Sequence, residues 1–190
     1  ELIDGSGFIF RAFHALPPLT RKSDGLPVGA IAGFCNMVFK MVEDQKGSDA
    51  PTHVAVIFDY SGKTFRNDIY PEYKAQRPPP PEDLVPQFGL IRDATRAFNL
   101  PCIEVEGYEA DDIIATLSKR LERETPVRIV SGDKDLYQVI TAKTHLIRPG
   151  KNGLLDREID ADGMRETVGL DPSQFVDFQA LMGDTTDNVP

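Results

Sequence analysis

Three short apolar runs, each leading to an aspartate, constrain this chain more than any other feature. The segments between the runs are long enough for amphipathic helices, so the sequence predicts strands that alternate with helices. Such alternation is typical of an α/β fold with a mainly parallel, twisted central sheet flanked by helices. The runs and the acids that follow them are residues 2–3 with Asp4, residues 53–58 with Asp59, and residues 127–130 with Asp133.

Parallel strands bring their carboxyl ends to one edge of the sheet, and that edge is where ligands bind in α/β folds. The motif Glu109-Ala110-Asp111-Asp112 opens a predicted helix and would deliver three more acids there. Each acid alone could be a helix cap or a partner of the helix dipole. Their coincidence at one edge instead favours a cation site. Oxygen ligands without His or Cys suit Mg²⁺ or Mn²⁺ better than zinc.

The remaining elements complete the alternation. A further acid, Asp135, follows Asp133, and a hairpin is predicted around residues 151–153. Asp184 and Asp187 stand three residues apart beyond the last helix, so they can face one direction if the turn continues helically. The other predicted elements are helices over 8–15, 29–42, 84–98, 110–123, 136–140, 161–168 and 172–182, with a further strand over 101–105.

The net charge of −9 would ordinarily argue against a nucleic-acid partner. Setting aside nine candidate site acids leaves a formal charge of zero. The acidity is therefore concentrated in the predicted site, where divalent cations would offset part of it. The nine acids are Asp4, Asp59, Glu109, Asp111, Asp112, Asp133, Asp135, Asp184 and Asp187.

Residues 60–82 differ from the rest of the chain because basic and aromatic residues interleave there. This mixture fits phosphate contacts combined with base stacking, although an ordinary solvated loop has a similar composition. The segment lacks a periodic apolar face, so we expect it to be mobile without DNA. Residues 61–64 end like a P-loop, but Ile57 stands where that pattern needs glycine. The interleaved residues are Lys63, Phe65, Arg66, Tyr70, Tyr73, Lys74 and Arg77.

The sequence predicts a protein of a reducing compartment, without a membrane-spanning segment. No run of about 18 apolar residues is present, and no basic segment with a cleavage site precedes the fold. Cys35 and Cys102 have no CxxC partner, which predicts reduced thiols in a cytoplasmic protein.

Five motifs, in order along the chain, resemble the carboxylate motifs of the flap endonuclease and 5′ nuclease family. Residues 70–83 narrow the resemblance to the branch that forms the 5′-3′ exonuclease domain of bacterial DNA polymerase I. The resemblance covers nearly the whole chain. The motifs are Asp4-Gly5-Ser6, Phe58-Asp59, the GYEADD segment 107–112, the SGDKD segment 131–135, and the MGDTTDN segment 182–188.

The resemblance implies a structure-specific, metal-dependent nuclease with a PIN-like fold. Such an enzyme hydrolyses phosphodiester bonds at 5′ ends, nicks and flaps of DNA, removing RNA primers or flaps in replication and repair. Residues 1–190 would form a single catalytic domain that stops before the family's helical hairpin, with a polymerase domain on the same full-length chain. The expected location is the bacterial cytoplasm, in association with the nucleoid.

The resemblance also implies roles for individual residues. Two Mg²⁺ ions are expected, with Mn²⁺ able to substitute, and Asp112 would lie near them. Residues 60–82 would form a flexible arch over the site, with Lys74 or Arg77 offsetting charge on the scissile phosphate. Phe10 would stack on a base. One ion would be held by Asp4, Asp59, Glu109 and Asp111, and the other by Asp133, Asp135, Asp184 and Asp187. The residues that contact DNA would be Phe10, Arg11, Arg66, Tyr73, Lys74 and Arg77.

Three other functions share part of this pattern. A PIN-like ribonuclease has the acidic sheet edge but would not predict the basic arch. A non-catalytic DNA-structure binder would be indicated by loss of Asp59, Asp111 or Asp133, and all three are acidic here. A phosphotransfer receiver domain also places acids at strand ends, but it is usually shorter and needs no arch.

Overall fold

The computed structural model describes residues 1–44, 47, 50–60, 62–150 and 155–190. A six-stranded sheet with the order β3-β2-β1-β4-β5-β6 forms its centre. The first five strands run parallel and β6 runs antiparallel to β5. The predicted α/β fold is therefore confirmed. The strands are β1 (Leu2–Asp4), β2 (Ala55–Ile57), β3 (Cys102–Ile103), β4 (Val127–Val130), β5 (Thr144–Pro149) and β6 (Leu155–Ile159).

Helices cover both faces of the sheet. Helices α1, α2 and α4 pack on one face around an apolar cluster that includes Phe8 and Phe34. Helices α5, α6 and α7 contribute to the cluster on the other face, which includes Ile114 and Phe175. The helices are α1 (Gly5–Ala15), α2 (Gly29–Asp44), α3 (Phe65–Ile69), α4 (Gln87–Ala97), α5 (Ala110–Leu121), α6 (Ala161–Val168) and α7 (Phe175–Met182), with 3-10 helices at Lys134–Val139 and Pro172–Gln174.

Strand β1 lies between β2 and β4 and fixes the register of the central sheet. Ile3 pairs with Val56 on one side and with Val130 on the other, and all three are buried. Burying an apolar side chain of this size contributes roughly 1.5–3 kcal/mol, so a register slip would be costly. Because the three strands are parallel, the acids that follow them emerge at the same edge.

Several helices begin or end at residues other than the predicted ones, for identifiable reasons. Helix α1 begins at Gly5 rather than residue 8, because the Asp4 side chain accepts a hydrogen bond from the Gly7 N–H and caps it. Helix α4 begins at Gln87 rather than residue 84, since Pro86 occupies its cap position. The predicted helix 136–140 is a 3-10 helix from residue 134 to 139, and the predicted helix 172–182 is divided between a 3-10 turn and α7.

Two further differences concern the strands. The predicted strands 53–58 and 101–105 keep only the residues that pair with neighbours, Ala55–Ile57 and Cys102–Ile103. The predicted hairpin turn at 151–153 lies outside the described residues, although the strands on either side of it are antiparallel. Within the described ranges, no helix is long and apolar enough to span a bilayer.

The predicted loop at 60–82 contains more regular structure than its composition suggested. Helix α3 begins after Thr64, which forms a reciprocal capping box with Asn67. Thr64 and Tyr73 are buried. We call residues 62–82 the arch. Its mobility in the absence of DNA stays a prediction.

Candidate metal centre

One cleft of about 550 Å³ at the carboxyl edge of the sheet is lined by all nine candidate acids. The acids come from five separate segments of sequence, so the fold rather than local sequence brings them together. Four predicted DNA contacts on the arch also line the cleft, and so does Phe10. Arg11 instead lines an adjacent pocket, which shares Asp4 and Asp133 with the cleft. The four contacts are Arg66, Tyr73, Lys74 and Arg77.

Asp4 is both a helix cap and a wall of the cleft. Its Oδ1 accepts the Gly7 N–H at 2.9 Å, and its Oδ2 accepts the Ser131 hydroxyl at 2.7 Å. A Cβ on residue 7 would lie 2.7 Å from Asp4 Oδ2, so a larger residue there would displace the Asp4 carboxylate. The capping role and the site role, considered as alternatives from the sequence, are therefore compatible.

Asp59 joins the end of β2 to the start of α5. Its Oδ1 accepts the Ala110 N–H at 2.7 Å, and its own N–H donates to Ser6 Oγ at 2.9 Å. The Asp59 carbonyl accepts a hydrogen bond from Arg92 NH2 at 2.7 Å. These contacts hold the acidic start of α5 against the strand edge.

Burial, together with neighbouring carboxylates, disfavours the ionised forms of three of the acids. Burial raises the pKa of Asp4 to about 6, and the neighbouring charges of Asp59 and Asp133 add to the increase. Desolvation also raises the pKa of Asp111 well above its usual value, with further contributions from Asp4 and Asp133. The pKa of Asp135 is raised for similar reasons, first by desolvation and then by Asp133. A bound cation would relieve this repulsion.

Side chains of the arch already compensate part of the charge. Lys74 Nζ lies 2.9 Å from both Glu109 oxygens, and Arg77 NH2 lies 2.5 Å from Asp187 Oδ1. The Tyr73 hydroxyl donates toward Glu109 at 3.1 Å and Asp187 at 3.0 Å. Desolvation, followed by these two carboxylates, raises the pKa of Tyr73, so the hydroxyl stays protonated as a donor.

Lys74 occupies an unusual backbone conformation. Its φ of 56° lies in the left-handed region, which costs a non-glycine residue about 1–2 kcal/mol. The Lys74 N–H donates to the Asp187 carbonyl at 3.0 Å, and the neighbouring Tyr73 is buried. These contacts maintain the strained backbone and direct the ammonium group into the cleft. Backbone strain of this kind concentrates at functional sites.

Asp112 has a different set of partners from the other acids. Both of its oxygens accept hydrogen bonds from Arg66 at 2.7 Å, and Oδ2 also accepts the Glu109 N–H at 3.0 Å. Its hydrogen-bonding capacity is therefore largely used within the protein.

The far wall of the cleft contains residues that were not among the predicted site residues. Lys134 Nζ lies 3.0 Å from Asp184, and Gln179 Nε2 donates to Asp135 at 2.5 Å. Ser131, the partner of Asp4, and Lys134 both belong to the SGDKD segment, so the motif contained a signal for them. Nothing local in the sequence marked Gln179, which reaches the cleft from helix α7.

The donor set suits a hard divalent cation, since every acidic group contributes carboxylate oxygens. Within the described residues, however, no group of three such side chains is arranged to hold an ion. The acids line the cleft together, but their division between two ions stays a prediction.

The DNA contacts predicted outside the arch lie beside the acids. The Phe10 side chain is 43% exposed, as a stacking surface requires. Arg11 NH1 donates to the Pro149 carbonyl at 2.9 Å, and NH2 donates to the Gly150 carbonyl. Because these partners are neutral, they position the guanidinium without cancelling its charge.

Comparison with known proteins gives a consistent family. The profile of the 5′-3′ exonuclease N-terminal resolvase-like domain matches residues 1–169. DNA polymerase I of Rhizobium leguminosarum is 58% identical over the whole of this chain, which spans 19% of that protein. The 5′-3′ exonuclease of Aquifex aeolicus is 37% identical, again over the whole chain and over 63% of its own length.

Solved structures give the same fold. The zinc-bound T5 5′-exonuclease matches with a TM-score of 0.74 and 25% identity, over 100% of this chain and 68% of that one. The bacteriophage T5 flap endonuclease in complex with DNA and metal ions matches with a TM-score of 0.73 and 24% identity, over 98% of this chain and 67% of that one. The family match over residues 1–169, with the polymerase and exonuclease relatives, shows that the chain belongs to the 5′-3′ exonuclease family of metal-dependent nucleases.

Proposed function

We propose that this cleft hydrolyses phosphodiester bonds at 5′ ends, nicks and 5′ flaps of DNA, with two Mg²⁺ ions as cofactors. The observation that carries the proposal is the convergence of nine acids from five sequence segments beneath a basic arch. A protein that only recognised DNA shape would gain nothing from so many like charges, because they repel the phosphates.

The proposed ion ligands follow the two groups of acids. Asp4, Asp59, Glu109 and Asp111 would hold one ion, and Asp133, Asp135, Asp184 and Asp187 the other, with Mn²⁺ able to replace Mg²⁺. Bound ions there would activate water and stabilise the leaving oxygen, so no side chain is needed as the nucleophile. The T5 neighbours crystallised with divalent metals and with DNA support both the cofactor and the partner.

The arch residues act on the substrate. Lys74 and Arg77 place two positive charges at the cleft, where they can offset charge that develops on the scissile phosphate. Tyr73 positions Lys74 through its shared contacts with Glu109 and Asp187. Arg11 contacts a phosphate from the neighbouring pocket, and Phe10 stacks on a base at the rim.

Asp112 and Arg66 take a positioning role in this proposal. Their hydrogen bonds join the arch to the first turn of α5, so they maintain its position above the cleft. In a full-length relative of the polymerase type, the same chain would bear a polymerase domain, and the nuclease would work on the flaps that synthesis displaces. That setting is the bacterial nucleoid.

The test is single-turnover cleavage of a labelled 5′-flap DNA with and without Mg²⁺. Cleavage should require the metal. Asp133→Asn preserves the shape of the side chain but removes one negative charge, and it should lower the rate by roughly 100-fold or more, since the metals supply both water activation and leaving-group stabilisation. In EDTA, the DNA affinity of Asp133→Asn should equal or exceed that of the unmodified protein.

Asp93→Asn, a change at an exposed acid outside the cleft, is the matched control. Flap cleavage by Asp133→Asn at the unmodified rate would refute the catalytic assignment. Preferential cleavage of single-stranded RNA would favour a PIN-like ribonuclease.

A further inference from the structure

A small apolar patch lies exposed where the arch begins. It consists of Phe65, Ile69 and Tyr108, whose relative exposures are 39%, 77% and 48%. The Phe65 and Tyr108 rings lie with centroids 5.5 Å apart at an interplanar angle of 50°. Ile69 lies one helical turn after Phe65 on α3, so it extends the same face. We call these three residues the aromatic patch.

The patch does more than attach the arch to the loop before α5. That attachment already exists in the backbone, because the Phe65 N–H donates to the Gly107 carbonyl at 3.1 Å. A ring pair that served only as packing would be expected to be mostly buried, whereas Phe65 and Tyr108 retain 39% and 48% of their residue surface. What distinguishes this pair from other exposed rings is that the two rings lie together beside a charged cleft, where a ligand can reach their faces.

Arg66 connects the patch to the wall of the cleft. Its guanidinium carbon lies 4.7 Å from the centre of the Phe65 ring, and the same group is hydrogen-bonded to Asp112. Arg66 NH1 also lies 3.9 Å from Glu109 Oε2. The aromatic patch and the acidic cleft are therefore continuous surfaces on either side of one arginine.

We propose that the aromatic patch is a stacking site for an unpaired nucleobase of the substrate's 5′ strand, a proposal that rests on the function proposed above. A base presents an apolar face of ring size, and stacking on aromatic side chains tolerates any base. Arg66, held by Asp112, borders the patch on the side of the cleft and fixes the position of the Phe65 ring. A DNA strand that leaves the cleft past Arg66 would next contact the rings of Phe65 and Tyr108.

The dimensions of the patch favour a base over a protein partner. A stable protein interface buries about 800 Å² on each partner, with about twenty or more residues. Three exposed side chains bordered by a cation cannot supply that area, but they match one or two bases. The site would add affinity for flaps without selecting their sequence.

The test is a cycle that combines one protein variant with one substrate change. Fluorescence anisotropy in EDTA would give the Kd for a 5′-flap DNA and for a series in which one flap base at a time is replaced by an abasic site. We expect one or two positions at which the abasic site weakens binding about fivefold, the lower range for a base–aromatic stack. Tyr108→Leu should weaken binding of intact DNA by a similar factor and should show no further loss with the abasic substrate.

Two controls distinguish stacking from general damage. Tyr108→Phe retains the ring and should bind as the unmodified protein does, while Phe39→Leu removes an exposed ring from α2 and should have no effect. Phe65→Leu should reproduce the loss seen with Tyr108→Leu. The proposal is overturned if no abasic position weakens binding. It is also overturned if Tyr108→Leu and the abasic site together weaken binding by the product of their separate factors, because the two changes would then act independently. Since no metal is present, either result leaves the Mg²⁺-dependent cleavage assay to decide the proposed function independently.

Discussion

Arg66 and Asp112 form a two-point hydrogen bond that ties the arch to the first turn of helix α5. NH1 and NH2 lie 2.7 Å from the two carboxylate oxygens, and the Glu109 N–H supplies a third donor. Burial opposes the charge on Asp112, but the hydrogen bonds from Arg66 and Glu109 outweigh it and lower the pKa. The hydrogen bond to Asp112 in turn raises the pKa of Arg66. The pair is charged and geometrically complete without an ion.

The first prediction concerns this pair. In a double-mutant cycle of Arg66→Ala and Asp112→Asn, urea denaturation should give a coupling of about 1 kcal/mol, because the pair is bidentate but partly open to solvent. Asp112→Asn should leave Mg²⁺ affinity close to that of the unmodified protein, measured by calorimetry. A loss of Mg²⁺ affinity equal to that of Asp133→Asn would instead make Asp112 an ion ligand.

The second prediction concerns charge repulsion in the cleft. Because burial and neighbouring carboxylates raise the pKa of Asp111, keeping an ionisable carboxyl group at this position costs stability at neutral pH, and Asp111→Asn removes that cost. Without metal, this variant should gain about 1 kcal/mol, or about 2–4 °C in Tm. It should also lose most of the Tm increase that Mg²⁺ gives the unmodified protein, because binding to the native state is weakened. Differential scanning calorimetry at neutral pH in EDTA and in Mg²⁺ measures both effects.

Asp177→Asn is a suitable comparison, since Asp177 lies on α7 but does not line the cleft. It should retain the full Mg²⁺-dependent increase in Tm. If Asp111→Asn were less stable than the unmodified protein in EDTA, the cost of burying a carboxyl group among other acids would not be the dominant effect at that position.

The placement of acids at the carboxyl edge of the sheet could be predicted from sequence, because it depends on local patterns. Apolar runs ending in Asp4, Asp59 and Asp133 define parallel strands, and parallel strands put their carboxyl ends together. The start of α5 was predictable in the same way, because acids cluster where a helix begins. Helix α4 was misplaced because Pro86 is tolerated both inside the first turn and at the cap, and propensity alone does not distinguish them.

The contacts of the arch were not predictable from sequence. Composition identified Lys74 and Arg77 as candidate phosphate contacts, and the family resemblance placed them near the site. Their partners Glu109 and Asp187 are distant in sequence and meet them only in the folded chain. The same is true of Gln179 and Asp135. Low apolar content predicts a mobile loop, and hydrophobicity does not register the hydrogen bonds that join the arch to the cleft acids.

The third prediction tests how the arch is held. Tyr73→Phe keeps the buried ring but removes the hydroxyl that contacts Glu109 and Asp187. Amide hydrogen exchange over residues 72–77 should become about 5–10-fold faster, as expected for the loss of about 1 kcal/mol of local stability. Tyr70→Phe is the matched control, because its hydroxyl contacts the exposed Glu72 at 3.3 Å. Equal exchange in the two variants would show that the hydroxyl of Tyr73 does not secure the arch.

The last prediction concerns Lys74, whose ammonium group donates hydrogen bonds to both carboxylate oxygens of Glu109. A cation that binds Glu109 has to compete with this ion pair, so Lys74→Ala should raise Mg²⁺ affinity about threefold, as expected for removing a competing surface ion pair. The same variant should cut flap substrates roughly 30-fold more slowly, because it removes a positive charge beside the scissile phosphate. Calorimetric Mg²⁺ titration and single-turnover cleavage at saturating metal separate the two effects. Lys63→Ala, a change on the arch outside the cleft lining, should alter neither substantially. If Lys74→Ala bound Mg²⁺ more weakly, Lys74 would be organising the ligands rather than competing for Glu109.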